Sequence, residues 1–267
     1  MIVELLMIGN ELLIGKTQDT NSNYLAKRIT KYGHHLRRIT TIGDDLDEIS
    51  NGLKDIINHQ PDLVIISGGL GPTFDDMTLQ GVGLALNREI KLNQDAYNSI
   101  KKAYDQAYKR GILKLEGMTK EREKMAYLPE GSIPFPNKRG AAPGVKIKEG
   151  NIVIFCLPGV PMEMKSMFQN IVLPILKEKR GKFVEKNFTF TGIGESRIAP
   201  YVSKVEEKFA NLWIKTHPRL GEYGAEIEVS ITAFNIENGE ELAENALDEV
   251  KEIVLKLNGK IIAKNKK

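Results

Sequence analysis

Short apolar runs and amphipathic stretches alternate along the first 175 or so residues, and this alternation limits the possible folds more than any other feature. The pattern is typical of a parallel α/β sheet covered by helices on both faces. The clearest strand is predicted at 63–66, because its unbroken, β-branched-rich run suits a central strand buried on both sides. Further strands are predicted at 3–8 and 36–42, and helices at 21–32 and 93–110.

The pattern changes after a short charged stretch at 177–182. The second part predicts, in order, a strand at 186–191, a helix at 195–209, strands at 212–216 and 226–234, a helix at 239–257 and a strand near Ile261. This β-α-β-β-α-β order is that of ferredoxin-like and some KH-like modules. We therefore predict two domains, 1–178 and 183–267.

Composition excludes several classes of protein. The net charge is only +3, so no overall field favours nucleic acid or an anionic membrane, and neither partner is expected. No run approaches the roughly 20 apolar residues of a membrane span, and the first residues lack a basic leader, which predicts a cytoplasmic protein. The single cysteine, Cys156, lies in an apolar strand and is predicted to be core; any metal must then have oxygen ligands.

The strongest local signal is the glycine-rich turn after the central strand. Glycines let bare N–H groups approach an anion, and the following helix presents the positive end of its dipole. We predict ligand contacts there and expect Gly69→Val to weaken binding while leaving the fold largely intact. The alternative is a tight turn in which Asp76 caps the helix. The predicted ligand-binding residues of this segment are Ser67, Gly68, Gly69, Gly71, Thr73, Asp75 and Thr78.

Asp44 and Asp45 follow the second strand, so a parallel sheet would bring them to the same edge as Asp75 and Asp76. Four carboxylates there could hold a magnesium-like ion together with waters and substrate phosphates. Helix capping is again the alternative.

Three other segments are candidates for the same pocket. An acid and an amide follow the first strand, a Gly/Pro-rich stretch precedes a predicted hairpin, and a second Pro-Gly turn follows its second strand. Each could equally be a helix cap or a surface turn. The residues proposed to bind ligand are Glu11, Asn21, Gly140, Pro143, Gly144, Pro158 and Gly159.

Together these segments resemble the CinA family, whose amino-terminal domain is similar to the molybdopterin-binding proteins MoaB and MogA. The matching pieces occur in the family's order and cover nearly the whole chain: GNELLIG at 9–15, DTN at 19–21, IGDD at 42–45, GGLGPTFDDMT at 68–78, GAAPG at 140–144, LPGVPMEM at 157–164 and GIGES at 192–196. The resemblance implies a three-layer MoaB/MogA-like α/β domain followed by a small KH-type domain.

The resemblance also implies chemistry. Two functional aspartates of the molybdopterin proteins match Asp44 and Asp76, which are therefore the expected catalytic residues and the expected metal ligands. CinA-type domains are associated with metal-dependent cleavage of ADP-ribose at its diphosphate, and self-association is favoured. Ala141 stands where the family commonly has threonine. The nicotinamide-nucleotide amidase domain of full-length CinA proteins has no counterpart in this sequence, so deamidation is not expected.

Three functions fit these residues. The leading hypothesis is a divalent-metal-dependent diphosphatase acting on ADP-ribose or a related nucleotide. The second is pterin binding or adenylylation in molybdenum-cofactor synthesis, and the third is a nonenzymatic nucleotide-sensing or scaffold protein. The absence of a P-loop lysine argues against a triphosphate substrate and favours the diphosphatase over the adenylyltransferase.

Overall fold

The computed structural model describes residues 1–221 and 224–262. The chain divides into two compact units, Met1–Lys179 and a second that begins at Arg180. The predicted domain boundaries, 178 and 183, lie on either side of this division. Residues 222–223 and 263–267 of the predicted second domain lie outside the described residues.

A six-stranded sheet forms the centre of the first unit. Its strands are β1 Ile2–Ile8, β2 His35–Ile42, β3 Leu63–Ser67, β6 Ile133–Phe135, β7 Gly144–Glu149 and β8 Ile152–Leu157, and a separate ribbon consists of β4 Ile90–Leu92 and β5 Tyr127–Pro129. The order is β2-β1-β3-β8-β7-β6. The first four strands are parallel and the last two antiparallel, which confirms a mainly parallel sheet.

Helices pack on both faces of this sheet. They are α1 Asn10–Leu13, α2 Thr20–Lys31, α3 Leu46–Asn58, α4 Thr78–Ala85, α5 Gln94–Lys109, α6 Lys120–Lys124, α7 Pro161–Met167 and α8 Leu173–Glu178. Successive strand residues point to opposite faces. Accordingly, Leu6 of β1 packs in one core with α3, α4 and α5, whereas Leu5 packs in the other with α2, α7 and α8. All five residues of β3 are buried, as expected for a strand covered on both sides.

The helix that begins at Pro161 is longer than the sequence predicts. The sequence predicts a helix from Pro161 through Phe168, because proline suits the first position of a helix, but α7 continues through a π-helical turn, Phe168–Val172, into α8. Pro174, near the start of α8, lacks an N–H group, and its ring would crowd the carbonyl of Asn170 in a regular helix. A wider turn just before the proline accommodates both constraints.

The second unit has the predicted β-α-β-β-α-β order. Its elements are β9 Phe183–Thr191, α9 Glu195–Lys208, β10 Leu212–Gly221, β11 Gly224–Phe234, α10 Gly239–Lys256 and β12 Lys260–Ile262. The sheet is antiparallel with the order β10-β11-β9-β12, and both helices contribute to its core. We expected β10 to end at Thr216, yet it continues across Pro218, which is tolerated because β10 is an edge strand. The KH-type relationship stays a prediction.

Cys156 lies in the core of the first unit, as predicted. Its side chain is fully buried, and burial raises the pKa of the thiol to about 12, so it stays protonated at neutral pH. Among the described residues, every helix is too short or too polar to cross a bilayer.

Candidate functional site

A cavity of about 560 Å³ opens where β1, β2, β3 and β8 end. Open parallel sheets place ligands beyond the carboxyl ends of their strands, and the volume falls within the usual range for small-molecule sites, roughly 300–1,000 Å³. We refer to this cavity as the cleft. Its lining residues come from the loops after those strands, from the segment before β7, and from α5.

The glycine-rich turn after β3 is fixed by its neighbours. Gly68 has φ +117°, and a Cβ there would lie 2.0 Å from the carbonyl oxygen of Ile8. Gly69 has φ +62°, and its Cβ would lie 2.3 Å from Oγ1 of Thr78. That hydroxyl donates a 2.8 Å hydrogen bond to the Gly68 carbonyl. Glycine is therefore required at both positions by the β1 backbone and by α4.

This geometry corrects the expectation that Gly69→Val leaves the fold largely intact, because the added side chain would strike Thr78 before it reached any ligand. The backbone N–H groups of the turn also differ in whether they already have a hydrogen-bond partner. The Gly68 N–H already donates to the Leu157 carbonyl, whereas the N–H groups of Gly69 and Gly71 have no hydrogen-bond partner among the described residues. These last two donors remain available to an anion.

The two aspartates beyond the turn are held by Thr73. Asp76 Oδ2 accepts hydrogen bonds from the Thr73 N–H at 2.8 Å and from its hydroxyl at 2.6 Å. The same hydroxyl lies against Asp75 Oδ1, and this contact holds the pKa of the Asp75 carboxyl below its usual value. Lys124 donates to the Thr73 carbonyl. Asp76 does not cap α4, because that helix begins at Thr78 and has no side-chain cap.

Asp44 and Asp45 have different roles. Asp45 caps α3, with Oδ1 accepting from the N–H groups of Asp47 and Glu48 at 3.0 Å each. Asp44 lines the cleft, and its Oδ2 accepts the Asn10 N–H at 2.7 Å. Burial raises the pKa of Asp44, and the negative charges of Glu11, Asp75 and Asp76 raise it further. The capping alternative thus holds for Asp45 only.

Two predicted ligand-binding side chains instead join the loops that wall the cleft. The Asn21 amide donates to the Gly159 carbonyl at 2.7 Å and to Ser67 Oγ at 3.3 Å, and the Ser67 hydroxyl donates to the Pro158 carbonyl at 3.1 Å. Both side chains are buried. The cap of α2 is Asp19. Asn21 and Ser67 therefore form a clamp between the turn after β3 and the turn after β8.

The Gly/Pro-rich segment before β7 also differs from expectation. A Cβ on Gly140 would lie 2.3 Å from the Glu163 carboxylate, and one on Gly144 would lie 2.2 Å from the Phe135 ring. Pro143 lines a separate cavity beside Phe135. Gly140 packs closely against Glu163 and Gly144 against Phe135, and none of the three residues lines the cleft itself.

The structure thus brings ten of the sixteen predicted site residues to the cleft: Glu11, Asp44, Gly68, Gly69, Gly71, Thr73, Asp75, Asp76, Pro158 and Gly159. Asn21, Ser67, Thr78, Gly140, Pro143 and Gly144 do not line it. For these six, direct contact with a ligand stays a prediction.

Comparison with known proteins connects this arrangement to a family. The family model described as "Probable molybdopterin binding domain" matches residues 4–178, which include the whole cleft. The chain belongs to this family. The second unit lies beyond the matched residues.

Individual relatives extend the match beyond this molybdopterin-binding domain. A protein of Sulfurisphaera tokodaii is 41% identical over 97% of both chains, and one of Pyrococcus horikoshii is 43% identical over 87% of this chain and 89% of its own. The crystal structure of "the protein CinA with unknown function" from Thermoplasma acidophilum is 35% identical, with a TM-score of 0.59 over 66% of this chain and 99% of that one. The similarity to CinA is thereby confirmed.

Twelve residues that line the cleft of this molybdopterin-binding domain were not among the predicted site residues, and they include Thr17, Tyr104, Met125 and Glu163. Glu163 lies in the quoted LPGVPMEM segment, where a carboxylate three residues into a helix-opening turn was an available signal. Tyr104 lies in the long polar helix α5, which is not one of the loops that follow the strands. No local sequence pattern identifies Tyr104 as a cleft residue, because its position depends on how α5 packs on the sheet.

The chemistry of the cleft fits a hard divalent cation. Within residues 1–221 and 224–262, no three acidic, histidine or cysteine side chains are already gathered as ligands. Mg²⁺ needs only one or two protein carboxylates, since waters and substrate phosphates complete its octahedron. Asp44 and Asp76 supply such oxygens, and a cation near Asp44 would offset the burial and the charge repulsion that raise its pKa. Because the Asp45 carboxylate caps α3, only Asp44, Asp75 and Asp76 of the four predicted aspartates face the cleft.

Proposed function

We propose that the cleft binds a phosphorylated nucleotide or pterin through a divalent metal ion, and that the protein hydrolyses a diphosphate bond of this ligand. One observation carries the proposal. Five carboxylates surround the glycine-rich turn, and none of the described residues lining the cleft is lysine or arginine. The carboxylates belong to Glu11, Asp44, Asp75, Asp76 and Glu163.

Electrostatics explains why a metal is part of the proposal. Two unit charges 4 Å apart interact by about 4 kcal/mol at an effective dielectric constant of about 20. A diphosphate placed beside several carboxylates is therefore repelled by several kcal/mol, more than one or two backbone N–H groups recover. A divalent cation between the carboxylates and the phosphates converts this repulsion into attraction. Ligand binding should accordingly require the metal.

The residues of the cleft have separate roles in this proposal. The free N–H groups of Gly69 and Gly71 bind phosphate oxygens. Asp76 would hold the metal through Oδ1, because both Thr73 donors go to Oδ2. Asp44 would be the second carboxylate ligand of the same ion. The bound metal would neutralise phosphate charge and lower the pKa of water.

ADP-ribose is the first substrate to test, as the resemblance to CinA suggests. The family match supports a second candidate, pterin binding or adenylylation in molybdenum-cofactor synthesis. A nonenzymatic nucleotide sensor would use the same phosphate-binding edge, but it would release its nucleotide unchanged.

A hydrolysis screen separates these candidates. The full chain is incubated with ADP-ribose, NAD, FAD or ATP in Mg²⁺, Mn²⁺ or EDTA, and products are resolved chromatographically beside a pterin-binding titration. We expect AMP and ribose 5-phosphate from ADP-ribose only with metal. Asp44→Asn should abolish this turnover. Asp45→Asn is the matched control, because asparagine caps α3 as well as aspartate does. Metal-independent or absent cleavage, accompanied by pterin binding, would instead favour the molybdenum-cofactor role.

A further inference from the structure

One carboxylate of the cleft is set apart from the others. Neighbouring strands lie about 4.8 Å apart, so the order β2-β1-β3-β8 spreads the loops along the sheet edge. Four of the five cleft carboxylates follow β2, β1 and β3, whereas Glu163 lies in α7, which follows β8. The turn after β3, with the free N–H groups of Gly69 and Gly71, lies between β1 and β8. Glu163 therefore faces this turn from the side opposite to Asp44.

Glu163 is held in place with one oxygen free. The Asn137 amide donates to Glu163 Oε2 at 2.5 Å and to the Ala142 carbonyl at 3.1 Å. Asn137 Oδ1 accepts the N–H groups of Arg139 and Gly140, both at 2.9 Å, so the whole amide is engaged. Glu163 Oε1 has no hydrogen-bond partner among the described residues. The carboxylate is thus oriented in advance, and Oε1 can accept a proton or a donor from the cleft.

The other carboxylates are gathered at the metal end of the cleft. Three of them lie close enough to Asp44 for their charges to raise its pKa: Glu11, Asp75 and Asp76. A bound cation favours the charged form of the carboxylates beside it, which makes them poor acceptors of a proton. Glu163, across the turn after β3, is the cleft carboxylate left for that role.

We propose that Glu163 is the catalytic base of the cleft and activates the water that attacks the diphosphate. This inference rests on the proposed function. A base must lie within about 2.6–3.2 Å of the water oxygen, which itself lies about 3–3.5 Å from phosphorus before attack. These distances place the base about 5–6 Å from phosphorus, which suits groups carried by the adjacent strands β3 and β8.

The step is a hydrolysis. The water oxygen forms a bond to phosphorus while one of its O–H bonds breaks, and that proton passes to Oε1 of Glu163. The bond from phosphorus to the bridging oxygen breaks, and this oxygen leaves with the electron pair as part of the second phosphate. In-line displacement needs the attacking and the leaving oxygens on opposite sides of phosphorus, as Glu163 and the metal end are. Glu163 is partly exposed, so it can then return the proton to solvent.

The test separates catalysis from binding in the full chain. We would measure kcat for ADP-ribose in Mg²⁺, and Kd by isothermal titration calorimetry for the analogue in which CH₂ replaces the bridging oxygen. Glu163→Gln keeps the size of the side chain and an acceptor for Asn137, so kcat should fall about 10²-fold or more while Kd stays within about threefold. Glu163→Ala should show the same separation. Glu178→Gln, the same substitution at the exposed end of α8, should change neither quantity.

The possible results distinguish this inference from the proposed function. Wild-type turnover that Glu163→Gln leaves within about threefold overturns the inference and leaves the proposed function standing. A rise in Kd that matches the fall in kcat also overturns it, because the carboxylate would then hold the substrate. Loss of Mn²⁺ binding in Glu163→Gln, titrated without nucleotide, would instead assign the carboxylate to the metal. No wild-type turnover in Mg²⁺ or Mn²⁺ contradicts the proposed function itself.

Discussion

Thr78→Val tests whether the hydrogen bond from Thr78 of α4 stabilises the glycine-rich turn. The Thr78 hydroxyl is fully buried and donates a 2.8 Å hydrogen bond to the Gly68 carbonyl. Valine has nearly the same shape but places a methyl group against that carbonyl. The lost hydrogen bond and the unsatisfied carbonyl together amount to about 2 kcal/mol. In a unit of 179 residues this lowers Tm by about 4–8 °C.

The assay is thermal unfolding followed by circular dichroism, with Thr41→Val as the control. Thr41 lies on β2 and is exposed, so its substitution should change stability by no more than about 0.5 kcal/mol. Equal Tm values for wild type and Thr78→Val would refute the role that we assign to this hydroxyl.

A double-mutant cycle gives an independent test of the same contact. Gly69→Ala alone should be strongly destabilising, because its Cβ meets Thr78 Oγ1 at 2.3 Å. In a Thr78→Ala background the collision is gone, and mainly the positive φ remains, at about 1 kcal/mol. We expect the two substitutions to be coupled by about 1 kcal/mol or more. Strict additivity would mean that the cost of Gly69→Ala does not depend on Thr78.

The remaining predictions concern charge, domain organisation and assembly. In Asp76→Asn the single amide oxygen can still accept the Thr73 hydrogen bonds, so stability should change little while turnover falls by about 10²-fold or more. A double variant with Asp44→Asn should show far less than multiplicative losses, whereas multiplicative losses would mean independent roles. Burial, together with the charges of Glu11, Asp75 and Asp76, raises the pKa of Asp44 in the folded state, so metal-free stability falls as pH rises from 3.8 toward the raised value. Asp44→Asn should therefore raise Tm at pH 7 in EDTA, and a lower Tm would contradict this unfavourable environment of the Asp44 charge. Limited proteolysis should cut near residues 177–182 and leave a folded larger fragment, whereas first cuts within 60–90 would contradict the division. Light scattering after size exclusion should give a mass above the 29.9 kDa monomer, and a strictly monomeric peak would exclude the expected self-association.

Much of the fold is readable from the sequence because burial patterns are local. The unbroken run of β3 requires cover on both faces, and the charged stretch near residue 180 interrupts the α/β pattern. The turn after β3 was recognisable for the same reason, since consecutive glycines after a buried strand require an unusual backbone. The ends of helices and strands were harder to predict where the surrounding structure tolerates a proline, as at Pro174 in α8 and Pro218 in β10.

The separate roles of the site residues could not be predicted from the sequence. Ser67 and Thr73 are both hydroxyl-bearing neighbours of the glycine turn, yet one is buried in the wall and the other lines the cleft. Strand parity and the neighbouring β8 loop decide between them, and both are tertiary properties. Tyr104 was missed because nothing in its own helix indicates which residue will reach the sheet edge.

The clamp formed by Asn21 and Ser67 also has a consequence for the order in which the protein folds. Asn21 and its acceptor Gly159 are 138 residues apart in the sequence, so this contact closes a long loop. It forms only after β8 has paired with β3, the pairing that brings Pro158 and Gly159 beside Ser67. During synthesis the earlier strands and helices can assemble while the cleft still lacks one wall. We therefore expect the cleft to be among the last parts of the first unit to form. A nascent chain that ends before Gly159 lacks the residues of one cleft wall.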